Sequence, residues 1–300
     1  MTSSKHEIVG IAESTSFDAR NGAGKAIRLV SRRVVGRLAP GLQTLEQYCN
    51  KQGIPYFRLT KEGLEKFSQW SSQLAPDILV VYSMSQLLPP AVFQTPKHGA
   101  INLHPSFLPE YRGPNPVFWQ YFNMVLCPGV TVHYIDAGED TGDIISQERI
   151  AVDLGIRSQD WLDRVIGHSG SRILLKSLED IENGTASRCS QSLVSPTRRA
   201  RNIKNIEHEK LIDWAHWPLE RIWNLLRGTE EWLNCIPPPS GINRGQRWRI
   251  GDYQYGPPCA APGTVHRGKE GYFIACADGK IKLSVRFSLL QLARHIVIRN

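Results

Sequence analysis

The sequence predicts an α/β protein, with a mostly parallel sheet and covering helices over residues 1–194, a linker over 195–206 and a small β-barrel over 207–300. Three observations carry this. Short apolar strands alternate with amphipathic helices through the first part of the chain at the spacing of strand, crossover and parallel strand. The composition then turns polar and basic at Ser195-Pro-Thr-Arg-Arg-Ala-Arg-Asn-Ile-Lys204, with no apolar periodicity. Beyond it, four short strands and a helix fall within about a hundred residues, a density that suits a small barrel.

Taken in order, residues 7–12 (EIVGIA) predict a short buried strand, and residues 42–48 a helix that ends before Gly53. Residues 54–59 predict an edge strand, because Pro55 has no N–H to donate to a ladder. Leu64, Phe67, Trp70 and residues 71–74 give an amphipathic helix closed by Pro76, and residues 77–82 a fully apolar strand. The next strand ends at His104, so Asn102 and His104 stand at i and i+2 and share a face. A further strand over 130–135 delivers the loop 136–143, which holds several carboxylates and the glycines Gly138 and Gly142. Leu162, Val165, Ile166, Ile173, Leu174 and Leu178 mark a helix over 161–181 that packs on the sheet. In the last part, Pro218 suits a first helical turn, Leu219, Ile222, Trp223 and Leu226 follow helical spacing, and Gly228 is expected to stop the helix. Residues 247–252, 263–266, 272–277 and 280–285 predict strands, with Asp278-Gly279 as a tight hairpin.

Composition narrows the class. At 300 residues, 41% hydrophobic and 21% charged, the chain has the make-up of a globular protein. The longest apolar run, near residues 78–82, is too short to span a membrane, and the start MTSSKHEIVG has no signal-peptide stretch, so a cytoplasmic location is expected. Cys49, Cys127, Cys189, Cys235, Cys259 and Cys276 form no CxxC pair and no zinc spacing, and are expected to be small buried thiols. The net charge of +8 favours anionic partners without naming one. Residues 20–37 carry Arg20, Lys25, Arg28, Arg32, Arg33 and Arg37 and no acid, which suits either a solvated face or a contact surface for phosphates.

The chemistry concentrates in residues 101–143, which open as INLHPSFLPEYRGPNP and close as GVTVHYIDAGEDTGD. An amide, an imidazole and a carboxylate can converge there at adjacent strand ends. Taken singly, Asn102 also suits a turn, His104 a hydrogen-bonded strand end, and Asp140 a turn before Gly142. As an ordered string, N-x-H-P-S-x-L-P-x-Y-R-G followed by G-V-T-x-H-x-x-D-x-G-x-D-T-G-D-I resembles the formyltransferases that use 10-formyltetrahydrofolate, which act on methionyl-tRNA, glycinamide ribonucleotide and amino sugars, and the related folate hydrolase domains.

That resemblance implies a Rossmann-like catalytic domain, 10-formyltetrahydrofolate as formyl donor, no metal, and Asn102, His104 and Asp140 as the catalytic trio. It places the donor against Ser85, Gln86, Leu87 and Leu88 and against Ala137, Gly138 and Glu139. It also implies a loop shaped by Arg112 and Gly113, with a cis bond between Leu108 and Pro109. His133, the H of G-V-T-x-H, is given no catalytic role and reads as a satisfied strand histidine. Near the C-terminus, IDW and PGTV resemble the second domain of the methionyl-tRNA enzymes and their relatives. The family usually has a further strand, turn and helix ahead of the position of residues 7–12; here six residues precede it, and the missing unit would be a central strand and part of the acceptor pocket.

For the acceptor, HPSFLPEYRGPNPVFW departs from the HASLLPxWRGAAP pattern common in tRNA enzymes, which favours a small-molecule amine such as an amino-sugar nucleotide. The basic 20–37 stretch and basic linker favour tRNA as the alternative. A formyltetrahydrofolate hydrolase and an inactive folate- or nucleic-acid-binding relative are the remaining readings.

Overall fold

The computed structural model describes residues 5–14, 44–60, 63–84 and 86–288. The basic stretch 20–37 and Ser85 lie outside the described residues. The chain forms two compact units that interleave in sequence: Met1–His104, Thr131–Gln147 and Arg172–Val194 make the first, and Pro105–Val130, Glu148–Ser171 and Ser195–Asn300 the second.

The first unit carries the expected alternation: β1 (Ile11–Ser14), α1 (Leu45–Gln52), β2 (Tyr56–Leu59), α2 (Leu64–Leu74), β3 (Leu79–Tyr82), the short α3 (Pro90–Phe93), β4 (Ala100–His104), β5 (Gly129–Tyr134) and β6 (Ile144–Arg149). Local chemistry sets the ends of α1. Thr44 Oγ1 accepts from the Gln47 amide at 3.1 Å while Gln47 Oε1 accepts from the Thr44 amide at 3.0 Å, a reciprocal cap that satisfies two amides the helix leaves open. Gly53, at φ +67°, closes the other end. The apolar stripe of α2 buries Phe67, and Phe57 meets the Phe67 and Trp70 rings at 5.6 and 5.2 Å. These side chains join Leu59, Leu88, Val92, Phe93 and Ala100 in one core, against which Leu79 and Val81 pack.

β1 and β2 pair in parallel as a two-stranded sheet, and β3, β4, β5 and β6 form a second sheet in that order. The expected mostly parallel sheet is in fact mixed. β3 and β4 are parallel, whereas β4 and β5 are antiparallel. β5 and β6 also run oppositely: the Tyr134 amide bonds to Asp143 O at one end and the Ile150 amide to Pro128 O at the other, at 2.9 and 2.8 Å. Residues 135–143 are fewer than the dozen or so that a parallel crossover needs, so the chain can only double back.

In the second unit, α4 (Pro116–Phe122) and α7 (Leu219–Thr229) pack on one another, and α5 (Ser158–Leu162) leads into a wide-turn segment at 163–170; α6 (Ser171–Glu182), next in the chain, belongs to the first unit from Arg172 onward. α7 runs past Gly228, where a stop was expected. A Cβ at that position would enter the Tyr121 ring, so this glycine serves helix packing and not termination.

The four C-terminal strands, β7 (Arg247–Tyr255), β8 (Val265–Gly268), β9 (Gly271–Cys276) and β10 (Gly279–Arg286), do not close into the expected barrel. They form an open antiparallel sheet in the order β7-β10-β9-β8, and closure would require β7 to bond β8. Side chains occupy the β7 backbone instead. The Ile250 amide donates to Glu230 at 2.8 Å, its carbonyl accepts from Arg157 at 3.3 Å, and Gly251 O accepts from the Trp223 indole at 2.7 Å.

Residues 195–200, expected to be linker, run along the proline-studded loop of the same unit. Ser195 Oγ donates to Pro109 O at 2.6 Å, the Tyr111 amide to Thr197 Oγ1 at 2.6 Å, and Ala200 bonds Arg112 and Asn115 through both backbone groups. Gly113, at φ +120°, faces the Ala200 backbone, where a Cβ would come within 3.0 Å. The Leu108–Pro109 bond is cis. Cys49, Cys235 and Cys276 are buried as expected, but Cys127, Cys189 and Cys259 are exposed, because they fall outside the helices and strands. Among the described residues no helix is long and apolar enough to cross a membrane.

Two glycines give a stability test. Gly155 and Gly184 share a left-handed backbone at φ +73° and +71°, but a Cβ at Gly155 would strike the Trp223 indole while one at Gly184 meets open space. Gly184→Ala should cost about 1 kcal/mol from backbone strain alone, and Gly155→Ala about 3 kcal/mol once overpacking is added. Urea denaturation of the two variants checks the order.

Candidate active site

The site is built from β4, β5 and the loop that follows β5. Antiparallel pairing sets Asn102 opposite His133 and His104 opposite Thr131. Directly opposed residues share a face, so all four polar side chains stand together. Ile101, Leu103, Val130 and Val132 alternate with them and are buried.

The loop then folds back to present Asp140. Its conformation rests on close approaches: a Cβ at Gly138 would collide with Thr141 Oγ1, and one at Gly142 with Tyr134 O. Asp136 Oδ1 accepts from the Gly138 amide at 3.0 Å and from Thr141 Oγ1 at 2.7 Å. Gln191 Nε2 donates to Asp140 O at 3.1 Å and to Gly142 O at 2.7 Å. Asp140 itself adopts φ +55°, a left-handed backbone that aspartate tolerates better than most residues.

The three residues of the expected trio meet here. Asn102 Nδ2 lies 3.4 Å from Asp140 Oδ1, and His104 Nδ1 lies 3.6 Å from Asp140 Oδ2, with the Asp140 side chain only 15% exposed. His133 joins them. Its Nε2 is 3.2 Å from Asn102 Nδ2 and 3.7 Å from Asp140 Oδ1, its Nδ1 is 2.8 Å from Tyr134 O, and its ring stands edge-on to His104 at 6.3 Å. Burial pushes the His133 pKa down, to about 4; the neighbouring His104 acts in the same sense and Asp140 opposes it. A sequence signal for His133 existed: Thr131 and His133 are polar at i and i+2, alternating with Val130 and Val132, on the strand that delivers the loop.

The residues expected against the donor are spread more widely. Gln86 turns its amide to Thr60 O at 3.3 Å, Leu87 is 66% exposed, and Leu88 is buried in the core. Gly138 and Glu139 lie in the loop ahead of Asp140. Ala137 lines a cavity of about 670 Å³ with Phe93, Ala100, Tyr134, Ile135 and Arg188. Arg188 covers the Tyr134 ring at 3.8 Å.

Residues 32–178 match the sequence family described as "Formyl transferase", and residues 205–293 match "Formyl transferase, C-terminal domain". A methionyl-tRNA formyltransferase of Geobacter metallireducens is 30% identical over 236 residues, covering 78% of this chain and 73% of that protein. One from Alkaliphilus oremlandii is 36% identical over 229 residues, covering 76% and 67%. The chain belongs to the 10-formyltetrahydrofolate-dependent formyltransferase family. Among solved structures, HypX from Aquifex aeolicus in complex with tetrahydrofolic acid aligns with TM-score 0.56 at 16% identity over 79% of this chain and 40% of that one. WlaRD, a sugar 3N-formyl transferase, aligns with TM-score 0.54 at 20% identity over 82% of each. At these identities the structural likeness speaks for the formyltransferase fold.

The displaced histidine pKa gives this formyltransferase a stability signature. The folded chain keeps His133 neutral down to about pH 4 whereas the unfolded chain takes up a proton near 6.5, so its contribution to stability is present above that range and lost as pH falls through it. The stability gap between wild type and His133→Gln should narrow between these two values. Urea melts of both proteins across the range check it, and a constant gap would contradict it.

Proposed function

We propose that this enzyme transfers the formyl group of 10-formyltetrahydrofolate to the amino group of methionyl-tRNA. The observation that carries the acceptor is the run of methionyl-tRNA formyltransferases matched at 26–36% identity over 63–90% of the chain. The small-amine expectation drawn from HPSFLPEYRGPNPVFW rested on one loop and gives way to agreement along most of the chain.

The C-terminal sheet supports an RNA acceptor. On β10, Ile281 and Leu283 are buried, while Lys280, Lys282 and Ser284 alternate with them on the other face. Arg249 lies opposite Ser284 and Phe273 opposite Lys282. The His266 and Phe273 rings stack at 5.6 Å and 27°, and Lys280 Nζ lies 5.7 Å from the Phe273 centroid. Cations beside stacked rings suit a phosphodiester chain and its bases.

The cavity beside Ala100 and Ala137 is lined by none of Asn102, His104 and Asp140, so the donor is assigned to the site by the polar cluster and not by that cavity. The donor supplies an electrophilic formyl carbon. Asn102 and His104 then hold the formyl oxygen as negative charge develops on it, a preorganised contribution whose loss typically costs ~10²-fold or more. Asp140 orients His104 through Nδ1 and takes the proton from the attacking amine, directly or through a water; as the tetrahedral intermediate collapses, the bond from the formyl carbon to folate N10 breaks and that proton is passed to N10, releasing tetrahydrofolate and the N-formylated product. Water in place of the amine would give hydrolysis, so the loop around Asp140 must admit the amine first.

Three acceptor conditions separate the readings: charged methionyl-tRNA, a pool of amino-sugar nucleotides, and buffer alone, each with 10-formyltetrahydrofolate and followed by mass spectrometry. Formyl-methionyl-tRNA is expected, with kcat/KM falling at least ~10-fold between about 50 and 200 mM salt. Replacing both Lys280 and Lys282 by alanine should raise the KM for tRNA ~3- to 10-fold and flatten that salt dependence. A formylated sugar, or free formate in buffer alone, would overturn the acceptor.

A further inference from the structure

We infer that His133 is a positioning residue that fixes the Asn102 side-chain amide in the one orientation able to donate to the formyl oxygen. The inference rests on the reading of Asn102 as an oxyanion donor, and its geometric half stands apart from that reading.

The tautomer of His133 is set by Tyr134. Its carbonyl can only accept, so His133 Nδ1, 2.8 Å away, carries the ring hydrogen. In the neutral ring Nε2 is then a bare acceptor, and the low pKa of this buried imidazole keeps it so. The Asn102 amide therefore faces two acceptors, His133 Nε2 at 3.2 Å and Asp140 Oδ1 at 3.4 Å. Turned over, it would set its own carbonyl oxygen against both a lone pair and a carboxylate. Only one orientation avoids that, with the two Nδ2 hydrogens shared between His133 and Asp140.

The two contacts differ in consequence. His133 is 2% exposed and tied to the strand backbone, so its hold on one N–H persists through the reaction. The bond to Asp140 is the longer one, and Asp140 sits on a loop. The second N–H can move from that carboxylate to the formyl oxygen, while the first keeps the amide from turning. Asp140 is released from Asn102 as it takes up its work on the incoming amine.

The substitutions that test this separate the two ring nitrogens. In His133→Asn the side chain can still donate to Tyr134 O in place of Nδ1 but ends short of Asn102. In His133→Gln an oxygen reaches the former place of Nε2 and can accept from Asn102. Formyl transfer by His133→Asn should lose roughly 10- to 100-fold in kcat with the donor KM within about twofold of wild type, and His133→Gln should recover most of it. Circular dichroism and thermal melts select the conditions under which all three are folded. Equal losses in both variants, or a better Asn than Gln, would overturn the role. A ¹⁵N spectrum of histidine-labelled wild type at neutral pH reads the tautomer without turnover. Nδ1 protonated and Nε2 bare is expected; the reverse would overturn the inference. If the tautomer is as expected but wild type transfers no formyl group to any amine, the functional reading fails and the amide orientation stands, so the two failures are distinguishable.

Discussion

The pairing register of β4 with β5 is the constraint on which the site depends. Slipping it by one residue would set Asn102 and His104 against Val130 and Val132 and send half the polar cluster to the other side of the sheet. Apolar side chains prevent that slip. Ile101, Leu103, Val130 and Val132 are all at most 4% exposed, so any other register would bury polar groups without partners on the second face. The polar face is then held together by its own geometry. Asn102 meets His133 across the ladder, and the loop returns Asp140 to both histidines and the amide.

Burying an imidazole, an amide and a carboxylate together is unfavourable unless each finds a partner. The structure meets this by dividing the roles. His133 remains neutral and works as a hydrogen-bond relay between the Tyr134 carbonyl and Asn102, so it adds no positive charge to the cluster. Asp140 keeps its position through backbone means: a left-handed φ, two glycines that allow close contacts, and the Gln191 amide on its carbonyl. The carboxylate can respond to substrate while its backbone stays fixed. An enzyme that moves a proton during attack needs this combination of a held backbone and an adaptable side chain.

Much of this was legible in the sequence, and the exceptions have physical causes. Asn102 and His104 were set on one face by i and i+2 alternation, which is local, whereas the choice of Asp140 among the several carboxylates of its loop came from the resemblance to the formyltransferases. The antiparallel return of β6 follows from the shortness of residues 135–143, a local feature that the alternation of strands and helices does not register, whereas the open C-terminal sheet depends on Glu230, Arg157 and Trp223 occupying the β7 backbone from distant points of the chain. Gly228 misled for a related reason: a glycine near a helix end suits a stop or a close contact equally well, and the Tyr121 ring that decides the matter lies over a hundred residues earlier. The role of His133 needed its cross-strand partner, since nothing in Val-Thr-Val-His names Asn102 as the neighbour. Donor contacts were the least legible, because apolar residues such as Leu88 serve a core and a ligand wall with the same side chain.

The central claim is that the cluster of Asn102, His104 and Asp140 carries out formyl transfer, and single-turnover kinetics of Asp140→Asn tests it most directly. The isosteric amide keeps the shape of the loop but cannot take the amine proton. With enzyme and 10-formyltetrahydrofolate in excess over methionyl-tRNA, the account predicts that the chemical step falls by ~10³-fold or more while donor binding, followed by fluorescence, changes little. A variant that transferred the formyl group at the wild-type rate would contradict it.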